Sequence, residues 1–373
     1  VLEKEEIAAP ILFDAPGNGL GFVTLNRARA LNALSREMLV SLHAQLQQWE
    51  SDSSIKAVFV HSSSPRSFCA GGDIKSLYYS GIKGNTAEIL DFFTDEYRCN
   101  YAISAFSKPY ISLAQGIVMG GGMGISQPGV FTGGLRLVTP STRMAMPETR
   151  IGLIPDVGVS YMLARAPGRL GDYMAVTGES ITWQQALSAG LADKAIADAA
   201  AETLPARLRG AQFDSAADVI AFIGEVALDA PSSDAAAQEA GEASVQHATP
   251  LIEQHFAGAT VADIVASLAA DPSDWAQLTL TTLRSRSPLS MALSLAHVRR
   301  AARQTFAACL QDDLTLVARI LERGDLIEGI RALLIDKDGR PQWRPADVDG
   351  LAQVNIDRYF ESPWDAHPLH DLA

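Results

Sequence analysis

Two glycine clusters set the strongest constraint on how this chain folds. Phe68-Cys69-Ala70-Gly71-Gly72-Asp73 closes a loop behind one strand-like run, and Gly120-Gly121-Gly122-Met123-Gly124 follows another and opens a helix. Glycine at a strand-to-helix turn lets the backbone reverse tightly and leaves N–H groups facing outward with no side chain in front of them. A helix N-terminus adds partial positive charge at the same place. The pair therefore predicts strand–turn–helix units with bare amides at the turns. The plainer alternative is glycine packed tightly against a neighbouring helix.

The first half keeps that rhythm. Residues 21–25 (GFVTL), 55–60 (IKAVFV), 110–114 (YISLA) and 135–139 read as strands, with Pro109 opening the third where its missing N–H does least harm. Leu34, Met38, Leu39, Leu42, Leu46 and Trp49 fall at helical spacing and predict a helix over 35–49, N-capped by Ser35. A second helix is predicted over 88–105. Such alternation predicts an α/β fold with helices packed on sheets. After about residue 160 helix follows helix. Thr182 with Gln185 makes a capping box, Gly190 a C′ stop, and Asp325 with Glu328 caps a later helix. Phe306, Leu310, Leu314, Val317 and Leu321 line one helix face. The Ala/Asp/Glu-rich stretch 195–245 reads as helices with mobile joints or as a linker. The expected division is a core over 1–200 and a mainly helical region over 201–373.

Composition closes off several classes. At 373 residues and 47% hydrophobic, the chain has ample material for a large core. A net charge of −13 argues against nucleic acid or an anionic membrane as partner. Cys69, Cys99 and Cys309 cannot build a disulfide framework and fit a reducing compartment. The start, with Glu3, Glu5, Glu6 and Asp14 against Lys4, has no h-region and no transit-peptide character, although a leader removed before Val1 stays open. No apolar run approaches the ~18 residues of a membrane span. P-loop, dinucleotide and nucleophile-elbow patterns are missing from the sequence. His367 and His370 have no helix signal and no third ligand, so no metal site is expected.

What remains points to acid chemistry beside bare amides. Two N–H groups aimed at one point make an oxyanion hole. Met146-Pro147-Glu148-Thr149 and Ile154-Pro155-Asp156-Val157-Gly158 place two carboxylates directly after prolines, with Gly152 between, so they cannot share one continuous helix. A carboxylate held rigidly among apolar residues is costly unless paired or used, and its pKa is expected to rise. Glu148 and Asp156 could thus divide nucleophile or base work from acid work. Alternatively Asp156 caps the helix that follows while Glu148 pairs with Arg150 or Arg143. Glu96 and Asn100 interrupt the apolar stripe Ile89, Phe93, Ile103. Glu96 either binds a polar group of a ligand or meets a buried arginine.

Seven stretches carry a resemblance: SFCAGGDI (67–74), DEYRCNYAI (95–103), KPYISLAQGIVMGGGMGIS (108–126), AMPETRIGLIPDVG (145–158), LGDYMAVTG (170–178), SPLSMALSL (287–295) and EGIRALLIDKDGRPQWRP (328–345). Through them the chain resembles the crotonase (enoyl-CoA hydratase/isomerase) superfamily over most of its length, with a weak patch at 195–245. The last stretch resembles the branch that hydrolyses 3-hydroxyisobutyryl-CoA. The resemblance implies a crotonase-like spiral of ββα units over the first region, a helical C-terminal region, and an acyl-CoA substrate with no separate cofactor, CoA being part of the substrate. It implies that the Gly72 and Gly121 N–H groups hold the thioester oxygen and that Glu148 and Asp156 are the acidic catalytic pair. It also implies that Glu96, with Gly121, Glu148 and Asp156, contacts the acyl group, Glu96 at its hydroxyl end, and that Ala70 and Asp73 border the CoA. Hydratases of the family carry a glutamate where this chain has Gly124, and usually glycine where it has Asp156. Hydrolysis of a short 3-hydroxyacyl-CoA, 3-hydroxyisobutyryl-CoA to 3-hydroxyisobutyrate and CoA in valine breakdown, is therefore the expected activity. An enoyl-CoA hydratase or isomerase is the same-fold alternative, and a non-catalytic binding protein the one from another class. The segment 127–144 looks a few residues longer than usual, which predicts that Gly129, Gly133 and Gly134 reshape the acyl pocket. The bacterial cytoplasm or the mitochondrial matrix is the expected location, and a homo-oligomer is left open.

Overall fold

The computed structural model describes residues 9–127, 133–227 and 245–373. Glu3, Lys4, Glu5, Glu6, Gly129 and the 228–244 part of the Ala-rich stretch lie outside the described residues. In chain order come β1 (Ile11–Asp14), β2 (Leu20–Leu25), α1 (Arg36–Ser51), β3 (Ala57–Ser62), β4 (Ser67–Cys69), α2 (Ile74–Ile82) and α3 (Thr86–Ala105). Then follow β5 (Tyr110–Ala114), β6 (Ile117–Met119), α4 (Gly121–Ser126), β7 (Leu135–Val138), β8 (Arg143–Ala145), α5 (Val159–Leu163) and α6 (Leu170–Thr177). After β9 (Ile181–Thr182), α7 (Trp183–Ser188) and β10 (Lys194–Ala195) the described chain is helical, with α8 (Asp198–Gly210), α9 (Ala216–Val226), α10 (Val245–His255), α11 (Val261–Ala270), α12 (Asp274–Arg284), α13 (Pro288–Ala301) and α14 (Phe306–Arg323).

Two sheets share these strands. The larger has the order β1-β2-β3-β5-β7-β10 and the smaller β4-β6-β8-β9. In the larger sheet only β1 runs antiparallel to its neighbour; in the smaller one only β9 does. In each consecutive pair, β3/β4, β5/β6 and β7/β8, the first strand enters the larger sheet and the second the smaller. A helical segment follows each pair, so the backbone winds as a spiral of ββα units.

Local chemistry explains the elements. The Ser35 hydroxyl accepts from Met38 N at 3.3 Å and starts α1, which buries Met38, Leu39, Leu42, Leu46 and Trp49. Each such side chain contributes roughly 1.5–3 kcal/mol on full burial. Strand β3 is buried on both faces: Val58 and Val60 meet the α1 and α3 side, while Ala57 and Phe59 point the other way. That second face is covered by α8 (Asp198–Gly210) and α9 (Ala216–Val226) through Leu204, Leu208, Val219 and Ile223. The expected 200/201 division thus falls inside α8.

The third predicted strand begins at Tyr110 as read, whereas β3 starts at Ala57: Ile55 N is engaged in the preceding turn, donating to Asp52 O, and Lys56 N already donates across to Gly19 O, next to the Leu20–Ala57 pair that begins the β2–β3 ladder. The capping box forms, Thr182 N donating to Gln185 Oε1 at 2.7 Å, and Gly190 adopts φ +70°. Asp325 differs from expectation. It sits at the N-cap position of Leu326–Ile330 but makes no capping bond; its carboxylate instead accepts from Arg344 N at 2.9 Å, and Glu328 accepts from Gln342 N at 2.8 Å. Both acids tie down the C-terminal segment. No helix among the described residues is long and apolar enough to cross a membrane.

Candidate active site

Between β4 and α2 the chain turns at Gly71, with φ +103°; between β6 and α4 it turns at Gly120, with φ +52° and ψ −126°. These conformations are open to glycine and closed to most L-residues. Each rotates the next amide, that of Gly72 or Gly121, away from its own strand. Among the described residues neither of these two N–H groups donates to a protein acceptor. The turns are held by their surroundings: Leu34 N donates to Gly71 O at 2.8 Å, Asp73 N to Leu34 O at 2.8 Å, and Gly120 N to Ala145 O at 3.2 Å. They also lie against each other. A Cβ on Gly71 would stand 3.6 Å from Gly121 N, and one on Gly121 3.5 Å from Gly72 N.

A carboxylate flanks each turn. Glu148, directly behind Pro147, places Oε1 only 2.8 Å from where a Gly120 Cβ would be. Glu96 reaches in from α3, and its Oε1 fills the space a side chain on Gly121 would need. Glu96, Glu148 and Asp156 are 2%, 6% and 4% exposed, so all three are desolvated. The plainer alternatives for them do not hold. Among the described residues Glu148 forms no ion pair with Arg150 or Arg143; Arg143 bonds the Pro140 and Thr142 carbonyls instead. Among the described residues Glu96 meets no arginine either, the buried Arg136 being held by Ser126 O and Leu191 O. Asp156 does not cap α5, whose N-cap is Gly158.

Among the described residues Glu96 Oε1 and Glu148 Oε2 have no hydrogen-bond partner, whereas Asp156 Oδ2 accepts from the Tyr97 hydroxyl at 2.7 Å. Burial is the first cause that pushes Glu96 and Glu148 well above the usual carboxylate range, and the charge of Asp156 adds to it. Asp156 is pushed up to about 7 by burial and then by the charge of Asp313, against the Tyr97 bond. Each of the three acids therefore makes it harder for the others to ionise. One member can be ionised to attack or take a proton while another stays protonated.

The cluster forms the floor of a cleft of about 790 Å³ whose exposed rim carries Arg29, Lys75 and Arg150. Ala70 and Asp73 line it as well, and Asp73 pairs with Arg27 at 2.8 Å. Gly133 and Gly134 are not among its lining residues, contrary to the expectation that they reshape the pocket; β7 starts at Leu135 and leads away into the larger sheet. Three residues escaped the sequence reading: Tyr97, His297 and Asp313. The last two lie on helices Pro288–Ala301 (α13) and Phe306–Arg323 (α14). The available signal was an aspartate inside an otherwise apolar helix face and a histidine on the face of the preceding helix that also carries Ser290 and Ser294.

The ββα spiral and its paired turns define a crotonase-type enzyme. The chain belongs to the enoyl-CoA hydratase/isomerase family, whose sequence model matches residues 20–360. It is similar to 3-hydroxyisobutyryl-CoA hydrolase, mitochondrial, of Danio rerio, with 34% identity over 359 residues, 96% of this chain and 91% of that one. The protein of the same name from Rattus norvegicus is 34% identical over 368 residues, 97% of this chain and 91% of that one. Among solved structures, a carnitinyl-CoA dehydratase from Mycobacterium thermoresistibile matches with a TM-score of 0.83 and 36% identity, covering 97% of this chain and 99% of that one.

Proposed function

We propose that this protein hydrolyses a short-chain 3-hydroxyacyl-CoA thioester, specifically 3-hydroxyisobutyryl-CoA, to 3-hydroxyisobutyrate and free CoA, a step of valine breakdown. The observation that carries this reading is the placement of Glu148 and Glu96 against the two glycine turns whose next amides are free. A thioester oxygen set between the Gly72 and Gly121 N–H groups brings its carbonyl carbon beside Glu148. Glu148 then attacks that carbon or takes the proton from a water that does. The electron pair moves to the oxygen, where the two amides stabilise it. Collapse breaks the C–S bond, and CoA leaves as a thiolate; where water was the attacker, the thiolate takes up the proton that Glu148 removed. If Glu148 itself attacked, water guided by Asp156 adds its oxygen to the acyl carbon of the anhydride, which frees the hydroxy acid and restores the Glu148 carboxylate, and the proton the water gives up goes to the thiolate. The unbonded Glu96 Oε1 accepts from the substrate hydroxyl, and Ala70 and Asp73 border the CoA. Arg29, Lys75 and Arg150 suit its phosphates. No further cofactor is needed, and three buried free cysteines fit a reducing compartment, the bacterial cytoplasm or the mitochondrial matrix.

Gly124 favours hydrolysis over water addition. A Cβ there would come 2.7 Å from Val157 Cβ and 2.8 Å from Asn100 Nδ2, so a hydratase-type glutamate has no room. The test is thiol trapping with 3-hydroxyisobutyryl-CoA. Steady release of free CoA is expected, and its absence, with hydration of an enoyl-CoA in its place, would overturn the reading.

A further inference from the structure

We propose that His297 and Asp313 form a buried positioning pair that clamps the Asp156–Gly158 turn and so holds Asp156 in its reactive place. The inference rests on the hydrolytic reading above and adds two residues to it.

The turn is strained. Val157 has φ +53° and Gly158 φ +72°, two left-handed residues in succession, and the first is β-branched. Valine there persists only when its surroundings over-determine it. Asp313 supplies that determination from α14. Its Oδ2 accepts from Gly158 N at 2.8 Å, while its Oδ1 is held at 2.6 Å by His297 Nε2 from α13. Both side chains are wholly buried, and neither lines the cleft. They therefore act through the turn and not on the substrate. On its other side Asp156 is held by Tyr97. The two anchors grip opposite ends of a three-residue segment, one from α3 and one from the α13–α14 pair. A buried hydrogen-bonded pair of this kind is weak as a source of stability, since apolar residues of similar volume commonly serve as well. A role in fixing one geometry accounts for its presence.

The experiment compares Asp313→Ala, Asp313→Asn and Asp156→Asn in the full chain, by thiol release from 3-hydroxyisobutyryl-CoA. Asn keeps an oxygen for Gly158 N–H and an amide facing His297 Nε2; Ala keeps neither. D313A is expected to lower kcat by about thirtyfold or more with KM within about threefold, and D313N to stay within about fivefold of wild type. D313A added to D156N should cause no further loss, because the clamp acts only through Asp156. Unchanged kcat in D313A, equal losses in D313A and D313N, or losses that multiply in the double variant would each overturn the pair's role. Where D313A does not fold, His297→Ala is read instead, with about a tenfold lower kcat expected at unchanged KM; wild-type kcat, or failure of both variants to fold, overturns it. Wild-type protein that releases no thiol overturns the hydrolytic reading itself, an outcome separate from a wild type that works alongside an unaffected D313A.

Discussion

Tyr97 donates a 2.7 Å hydrogen bond to Oδ2 of Asp156. Its neighbour on α3, Glu96, points its carboxylate at Gly121. One helical turn thus supplies both a ligand-facing acid and the anchor of a second acid. The bond favours ionised Asp156 and opposes the burial that lifts it to about 7. Tyr97→Phe removes the donor and leaves the ring. The titration assigned to Asp156 in the kcat–pH profile should move upward, and the fold should lose about 1 kcal/mol for the missing bond. An unmoved profile would detach Asp156 from the reaction.

Glu148→Gln keeps volume and hydrogen-bonding capacity but removes the base or nucleophile. Its kcat should fall on the order of 10³-fold while KM stays within a few-fold. Steady-state thiol release measures both. A KM effect alone would make Glu148 a binding group.

Gly121 begins α4, where proline fits the helix geometry and lacks the N–H. Gly121→Ala adds a Cβ that displaces Glu96 Oε1 but keeps the N–H. The loss in Gly121→Pro beyond that in Gly121→Ala therefore reports the N–H together with the space in front of it, which the proline Cδ takes. It should amount to about 3 kcal/mol in the barrier, on the order of a hundredfold in kcat. Equal activity of the two variants would remove Gly121 from the oxyanion hole.

The α/β alternation and the turns were legible because glycine and proline act locally: Gly71 and Gly120 carry positive φ in the sequence runs that marked them. Glu148 and Asp156 were legible as rigid, desolvated acids for the same reason, each standing behind a proline. The pairing of strands across two sheets was not legible, since β3 and β4 are consecutive yet part company. Nor were His297 and Asp313, which lie 16 residues apart on successive helices and meet the Asp156 turn only through tertiary packing. Asp325 misled because a capping residue and a tail anchor look the same in sequence.

The buried acids also predict how stability follows pH. Asp156 stands at about 7 in the folded chain against an ordinary 3.8. Between those values the folded state holds a proton that the unfolded state has released, so unfolding becomes easier as pH rises. The penalty is nil below the lower value and complete above the higher. Asp156→Asn removes this titration and keeps an oxygen that can accept from Tyr97. It also removes a charge that raises Glu148, which acts in the same direction. The melting temperature of the variant relative to wild type should therefore climb steadily from about pH 4 to about pH 7 and level off beyond. A difference that stays flat across this window would mean that Asp156 is solvated and ordinary, and the dry acid cluster on which the site depends would not exist.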